Sequence, residues 1–243
     1  MLLIKKTFPP QSLIDYNHSF RTATSNPTYS DLSDKNCLTA WTKENRELKE
    51  KLAKEQRGLC CYCMQAVSAT KSIVEHFLPQ SLFPEYKTDY YNLYLSCIYS
   101  SGKANPNRYC DVNKGNELIA KLMSYESAEG EKCQDLFQYD ANDGSILPND
   151  SKRKTQKEFI KDFLDLRPIQ REVLNAIEVL NLNATFLKSK RFQYIKEKLS
   201  EISVLDKKTL EEKKTFYETE FEERFAGVLI YLINERLNEL SRR

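Results

Sequence analysis

The chain reads as an α+β protein, mostly helical, and three observations predict that class. Apolar residues recur at helical spacing over 38–56 and over most of 151–243. Two short runs rich in branched and aromatic side chains, 72–77 and 90–95, have the composition of strands. Around those runs lie cysteines spaced as metal ligands rather than as a disulfide framework.

Taken in order, residues 1–37 are mixed in character and turn-rich, with Pro9, Pro10 and Pro27, and read as an arm lying on the rest. Over 38–56, Leu38, Trp41, Leu48 and Leu52 fall on or near one helical face, and Gly58 is a natural stop. The strand-like runs follow, and the apolar spacing over 114–123 predicts a helix after them. Residues 126–150, with Gly130, Gly144 and Pro148, read as an irregular or hairpin-bearing connection. The remainder reads as helical, broken near Leu166-Arg-Pro168 and Asn181-Leu-Asn183. Its last helix shows an apolar stripe of Tyr217, Phe221, Phe225, Val228 and Leu232, which predicts burial in a helical bundle. The expected units are therefore 1–57 (arm and helix), 58–125 (cysteine-bearing module), 126–150 (connection) and 151–243 (helical region). A length of 243 residues allows one domain with a large appendage or two small ones.

A net charge of +2 is too small to advertise nucleic-acid binding, so any phosphate-binding surface must be local. The start of the chain, Met-Leu-Leu-Ile-Lys-Lys, lacks the apolar run of a signal peptide. The apolar stretch 228–233 is far too short to span a bilayer, and the expected location is the cytoplasm.

The odd count of seven cysteines and the Cys60-x-x-Cys63 spacing favour metal ligation over cystine. Cys60 and Cys63 suit a zinc knuckle better than Cys61 and Cys63, which leave one residue between ligands. Cys97 and Cys110 are the candidates that would close a Cys₄ site, and such a site, with no open position, is structural. Cys37 and Cys133 read as ordinary thiols, and His18, in the arm, carries no assigned role. Within the cysteine window lies Glu75-His76. Neutral imidazole is suited to deprotonating water near pH 7, and a carboxylate beside it can hold a metal rather than compete for the same proton.

Together, Cys60-x-Tyr-Cys63, Glu75-His76-x-x-Pro79, Asn92-Leu93, Cys97 and Cys110-Asp-x-x-Lys-Gly115 resemble the zinc-braced HNH endonuclease module, a ββα-metal fold. The likeness covers about 60 residues closely. A Glu-Gln-x-Gly lead at 55–58 and a later Leu180-Asn-Leu-Asn183 segment, followed by Leu187 and Arg191, resemble one subfamily: the HNH nuclease subunit of Septu-type antiphage systems, found also in some retron systems.

The resemblance implies His76 as general base and Glu75 as a ligand of a catalytic Mg²⁺ or Mn²⁺. It implies that Asn92 holds the loop and orients the histidine through backbone hydrogen bonds. The third motif position, usually Asn or His, is Asp111, and either Asp111 or Asn113 completes the metal site. Lys114, Lys103 and Arg108 are candidate phosphate contacts. The implied partners are a nucleic-acid substrate, DNA favoured, and an ABC/SMC-like ATPase subunit of a defence complex.

One departure is the twelve-residue gap between Cys97 and Cys110, where the module commonly has Cys-x-x-Cys; it reads as an inserted polar loop whose ends meet, or else Cys97 is a free thiol. Other functional readings stay open: an RNA-cleaving effector of a retron system, a catalytically silent zinc-module adaptor, or a helical half that is the main functional element.

Overall fold

The computed structural model describes residues 1–20, 43–150, 155–220 and 223–242. The class is α+β: helices accompanied by two small antiparallel two-stranded sheets. Met1, Leu2 and Ile4 are buried, and helix α1 (Gln11–Phe20) follows Pro9-Pro10, its first turn anchored on the Pro10 carbonyl. The arm thus contains a helix that the sequence pattern missed. Helix α2 (Lys43–Glu55) buries Leu48 and Leu52 and ends through Arg57 and Gly58, both at positive φ. Leu38, Trp41, Pro27 and Cys37 lie outside the described residues.

The cysteine window forms a ribbon of β1 (Ile73–His76) and β2 (Leu93–Ser96), with Glu75 opposite Tyr94 and His76 opposite Leu93. Both expected strands are found, but the second begins only at Leu93, because Tyr90–Asn92 forms a 3₁₀ turn. The helix expected over 114–123 is not found. It is a single turn, α3 (Asp111–Lys114), stopped by Gly115 at φ +53°, where the amide closes on the Asp111 carbonyl. Leu122–Ser124 forms a separate 3₁₀ turn, and Leu118 faces solvent, so the helical spacing of apolar residues there is not used as a helix face.

Strands β3 (Phe137–Tyr139) and β4 (Ile146–Pro148) make the hairpin in the connection. The helical region comprises α4 (Gln156–Lys161), α5 (Pro168–Val179), α6 (Thr185–Ser203), α7 (Lys207–Thr219) and α8 (Ala226–Ser241). The two expected breaks are present, with Pro168 opening α5 where its missing N–H costs nothing. The terminal stripe, however, does not belong to one helix. Tyr217 lies on α7, Val228 and Leu232 lie on α8, and Phe221 is outside the described residues. Phe225 sits between them in the left-handed region at φ +57°, where its amide donates to the Met64 carbonyl at 2.9 Å.

One apolar core runs from Met1 to Ile233 and includes both the cysteine window and the helices. No described helix is long and apolar enough to cross a membrane.

Candidate metal centre and the acid–histidine cluster beside it

The knuckle begins where α2 ends. The Cys60 amide bonds the Gln65 carbonyl and the Met64 amide bonds the Cys60 carbonyl, with Met64 at φ +61° to complete the turn. Gln56 then docks the turn on the ribbon. Its side chain donates to the Leu59 and Leu95 carbonyls at 2.8 and 2.9 Å and accepts from the Leu95 amide at 2.7 Å, imitating a strand.

Cys97 follows β2 directly, and Cys110 returns after the long loop. That loop is closed by Ser100, whose Oγ donates to the Tyr109 carbonyl at 2.8 Å and accepts from its amide at 3.1 Å. The end of α5 holds the return segment: the Cys110 amide donates to the Leu180 carbonyl, and Asn181 donates to the carbonyls of Pro106 and Arg108. As a result the sulfurs of Cys60, Cys63, Cys97 and Cys110 all lie within 4.8 Å of one another, and all are buried. Cys63 and Cys97 are 3.7 Å apart and Cys60 and Cys110 3.9 Å, against about 3.8 Å for the edge of a tetrahedron with 2.3 Å metal–sulfur bonds. The donor set can hold one metal ion. Burial pushes the Cys110 thiol well up, and its three sulfur neighbours push it further, so that a thiolate there calls for a cation. Cys61 and Cys133 are buried outside the quartet.

Beside it lies a second cluster. Glu75 is 2% exposed; its Oε1 accepts from the Tyr62 hydroxyl at 2.7 Å and pairs with the Lys114 ammonium at 2.9 Å. Asp111, one residue past the fourth cysteine, lies close enough to Glu75 to act on its charge. Burial first, and then Asp111, raise the Glu75 carboxyl well above the usual carboxylate range; Lys114 and Tyr62 oppose them. His76 is pushed below its ordinary 6.5 by burial, against the Lys87 carbonyl and the Asp111 charge. Its Nε2 lies 3.0 Å from the Lys87 carbonyl oxygen. A carbonyl only accepts, so Nε2 carries the proton and Nδ1 keeps the lone pair.

Asn92 bridges the loop between the strands. It accepts from the Leu78 amide at 2.7 Å and donates to the carbonyls of Leu78 and Tyr86, each at 3.1 Å.

Asp111 thus acts on the charge of both Glu75 and His76, which are adjacent residues of β1. Asn113 is elsewhere: its amide donates to the Val179 carbonyl at 2.9 Å. Lys114, expected at a substrate phosphate, is 1% exposed and committed to Glu75, because the single turn of α3 directs it inward. Lys103 and Arg108 are exposed on the loop, and His18 is exposed on α1. Sequence reasoning missed Tyr62 and Gln56 as holding groups. Tyr62 stands inside the Cys-x-x-Cys pair, where an aromatic residue gives no sign that its hydroxyl reaches a carboxylate 13 residues on. No family model matches the chain, and no curated protein matches it in sequence.

Proposed function

We propose that the chain is a metal-dependent endonuclease of the HNH type, hydrolysing phosphodiester bonds with DNA as the favoured substrate, and that zinc on Cys60, Cys63, Cys97 and Cys110 braces it. The observation that carries this reading is that Asp111 acts on the charge of both Glu75 and His76, from a helix start next to the cysteine quartet. A carboxylate pair suits a hard divalent cation, and Glu75 and Asp111 are the residues that would hold Mg²⁺ or Mn²⁺. When bound, such an ion supplies charge stabilisation at the scissile phosphate.

The chain's own groups do the rest. His76, neutral and with Nδ1 as its basic nitrogen, accepts the proton of the attacking water. The Lys87 carbonyl fixes the tautomer, and Asn92 fixes the loop that leads to Lys87. Tyr62 and Lys114 hold Glu75 in place and favour its charged form, opposing the burial and the Asp111 neighbour that favour its neutral form. The small net charge supports a substrate delivered with the help of a partner, for which the ABC/SMC-like ATPase of an antiphage complex is the proposal and the helical half its seat.

A cleavage assay on single- and double-stranded DNA and on RNA, with Mg²⁺ or Mn²⁺ and with co-purifying proteins present, tests the reading. His76→Ala is expected to cost about 10²–10⁴-fold in rate. Equal cutting by wild type and His76→Ala sinks the mechanism.

A further inference from the structure

We infer that Phe186 is a stacking platform for an unpaired base, with Lys103, Lys190 and Arg108 placed for the adjoining phosphates, so that the chain grips single-stranded nucleic acid beside its acid–histidine cluster. The inference rests on the nuclease reading and names its substrate form.

Phe186 is the second residue of α6 and is 41% exposed. One side of its ring stacks on buried Tyr109, with centroids 6.1 Å apart and planes at 9°. Lys103, from the inserted loop, has its ammonium 5.0 Å from the Phe186 ring centroid, and Lys190, one helical turn on, 5.7 Å. Arg108 is exposed on the same loop, its Nε bonded to the Lys103 carbonyl at 2.7 Å.

None of these three cations has a carboxylate within ion-pair distance among the described residues. Elsewhere on the helical surface Lys188 pairs with Asp143, Lys198 with Glu201, and Lys207, Lys208 and Lys214 with glutamates one turn on. Uncompensated cations around a half-exposed flat ring match the combination that a single strand offers, a free base face beside phosphates. A duplex offers no such face within its stack.

The platform is also fixed relative to the cluster. Tyr109 precedes Cys110-Asp111, and Asn181 clamps the loop on both sides of Asn107 through the Pro106 and Arg108 carbonyls. A base on Phe186 displaces the two ammoniums from over the ring toward its own phosphates.

Fluorescence anisotropy with the full chain carrying His76→Ala, without added Mg²⁺ or Mn²⁺ and without chelator, tests this with labelled 12-nucleotide DNA and RNA strands of one sequence and the matching duplex. Single strands are expected to bind tighter than the duplex; whichever of DNA and RNA binds better identifies the source. Phe186→Ala is expected to weaken single-strand binding about tenfold with the salt dependence unchanged. Phe186→Leu, which keeps the packing on Tyr109 without the π-face, should do the same. Lys103→Ala with Lys190→Ala should instead reduce the slope of log K against log salt by about 1.4. Unchanged affinity in both Phe186 variants overturns the platform, as does equal affinity for strand and duplex. If Phe186-dependent binding is found in a wild-type chain that never cuts, the platform stands and the nuclease assignment falls. Cutting that proceeds with Phe186-independent binding gives the reverse result.

Discussion

The cysteine-braced segment 59–115 and the helical segment 168–242 share one core but hold themselves together in different ways. In the first, the buried residues include Gln65, Ser72, Glu75, His76, Asn92, Ser96, Ser100 and Lys114. In the second, Gln170 and Arg191 are the buried polar side chains among the described residues. The helices close by apolar packing, as expected where amphipathic faces meet. The cysteine segment has four-residue strands and a one-turn helix, and it buries Tyr62, Phe77, Leu93, Tyr94 and Tyr109 together with those polar groups. A metal on the four sulfurs would cross-link four points and let such a segment keep ionisable groups out of water that apolar packing alone would expel. The difference teaches where chemistry can be housed: in the segment that buries polar and ionisable groups alongside its apolar ones.

The largest test of this contrast is loss of the metal. A structural zinc contributes on the order of 10 kcal/mol of apparent binding free energy. Chelation or Cys60→Ser should therefore strip hydrogen-exchange protection from 59–115 first, with the α5–α8 amides following only later. Equal loss in both segments breaks the comparison, and metal analysis showing no zinc in the wild type removes its cause.

Next is the exception on the helical side. Arg191, 1% exposed, donates to the Gly144 and Leu182 carbonyls at 2.7 Å each and to Asn183 Oδ1 at 3.2 Å. Burial lowers its pKa to about 10, so it remains charged at neutral pH. Arg191→Met should cost about 3 kcal/mol in urea denaturation by stranding those acceptors. A change within about 0.5 kcal/mol, typical of surface sites, would show that the helices do not depend on it.

A smaller effect is expected where the two segments touch. A Cβ on Gly227 would lie 2.8 Å from Met64 Sδ and 3.2 Å from the Met1 carbonyl oxygen. Gly227→Ala should cost about 1–2 kcal/mol by overpacking. Part of that cost should return in the Met64→Ala background, read as a coupling energy in a double-mutant cycle.

The smallest effect is in acid. The folded pKa of His76 lies below its ordinary 6.5, so below pH 6.5 the unfolded chain takes up a proton that the folded chain resists. Stability is therefore lost as pH falls through that window, and the difference between wild type and His76→Gln should report that loss. A difference that does not vary with pH would mean the imidazole is no more shielded than in the unfolded chain.

The sequence was a better guide to the cysteine cluster than to the scaffold. The cysteine quartet, the strand pair and the Glu75-His76 step can be read from spacing, because metal ligation and pleating constrain residues locally. What could not be read depends on distant groups. The break between α7 and α8 is invisible in an apolar stripe that runs straight through it, since the group that bonds the Phe225 amide is the Met64 carbonyl, far away in sequence. Residues 114–123 carry helical spacing, but Gly115 and the pull of Lys114 toward Glu75 end the helix after one turn. Nothing near Lys114 in sequence marks it as buried, and nothing near Asn113 shows that it reaches Val179.

Those last contacts have a mechanical consequence. Val179, Leu180 and Asn181, consecutive residues at the end of α5, hold Asn113, the Cys110 amide and the inserted loop respectively. The turn that carries Asp111 is thus tied to α5 by one backbone bond and two asparagine side chains, and Lys114 on that turn ties it in addition to Glu75 on the ribbon. The helical half is thus linked, bond by bond, to the turn beside Glu75.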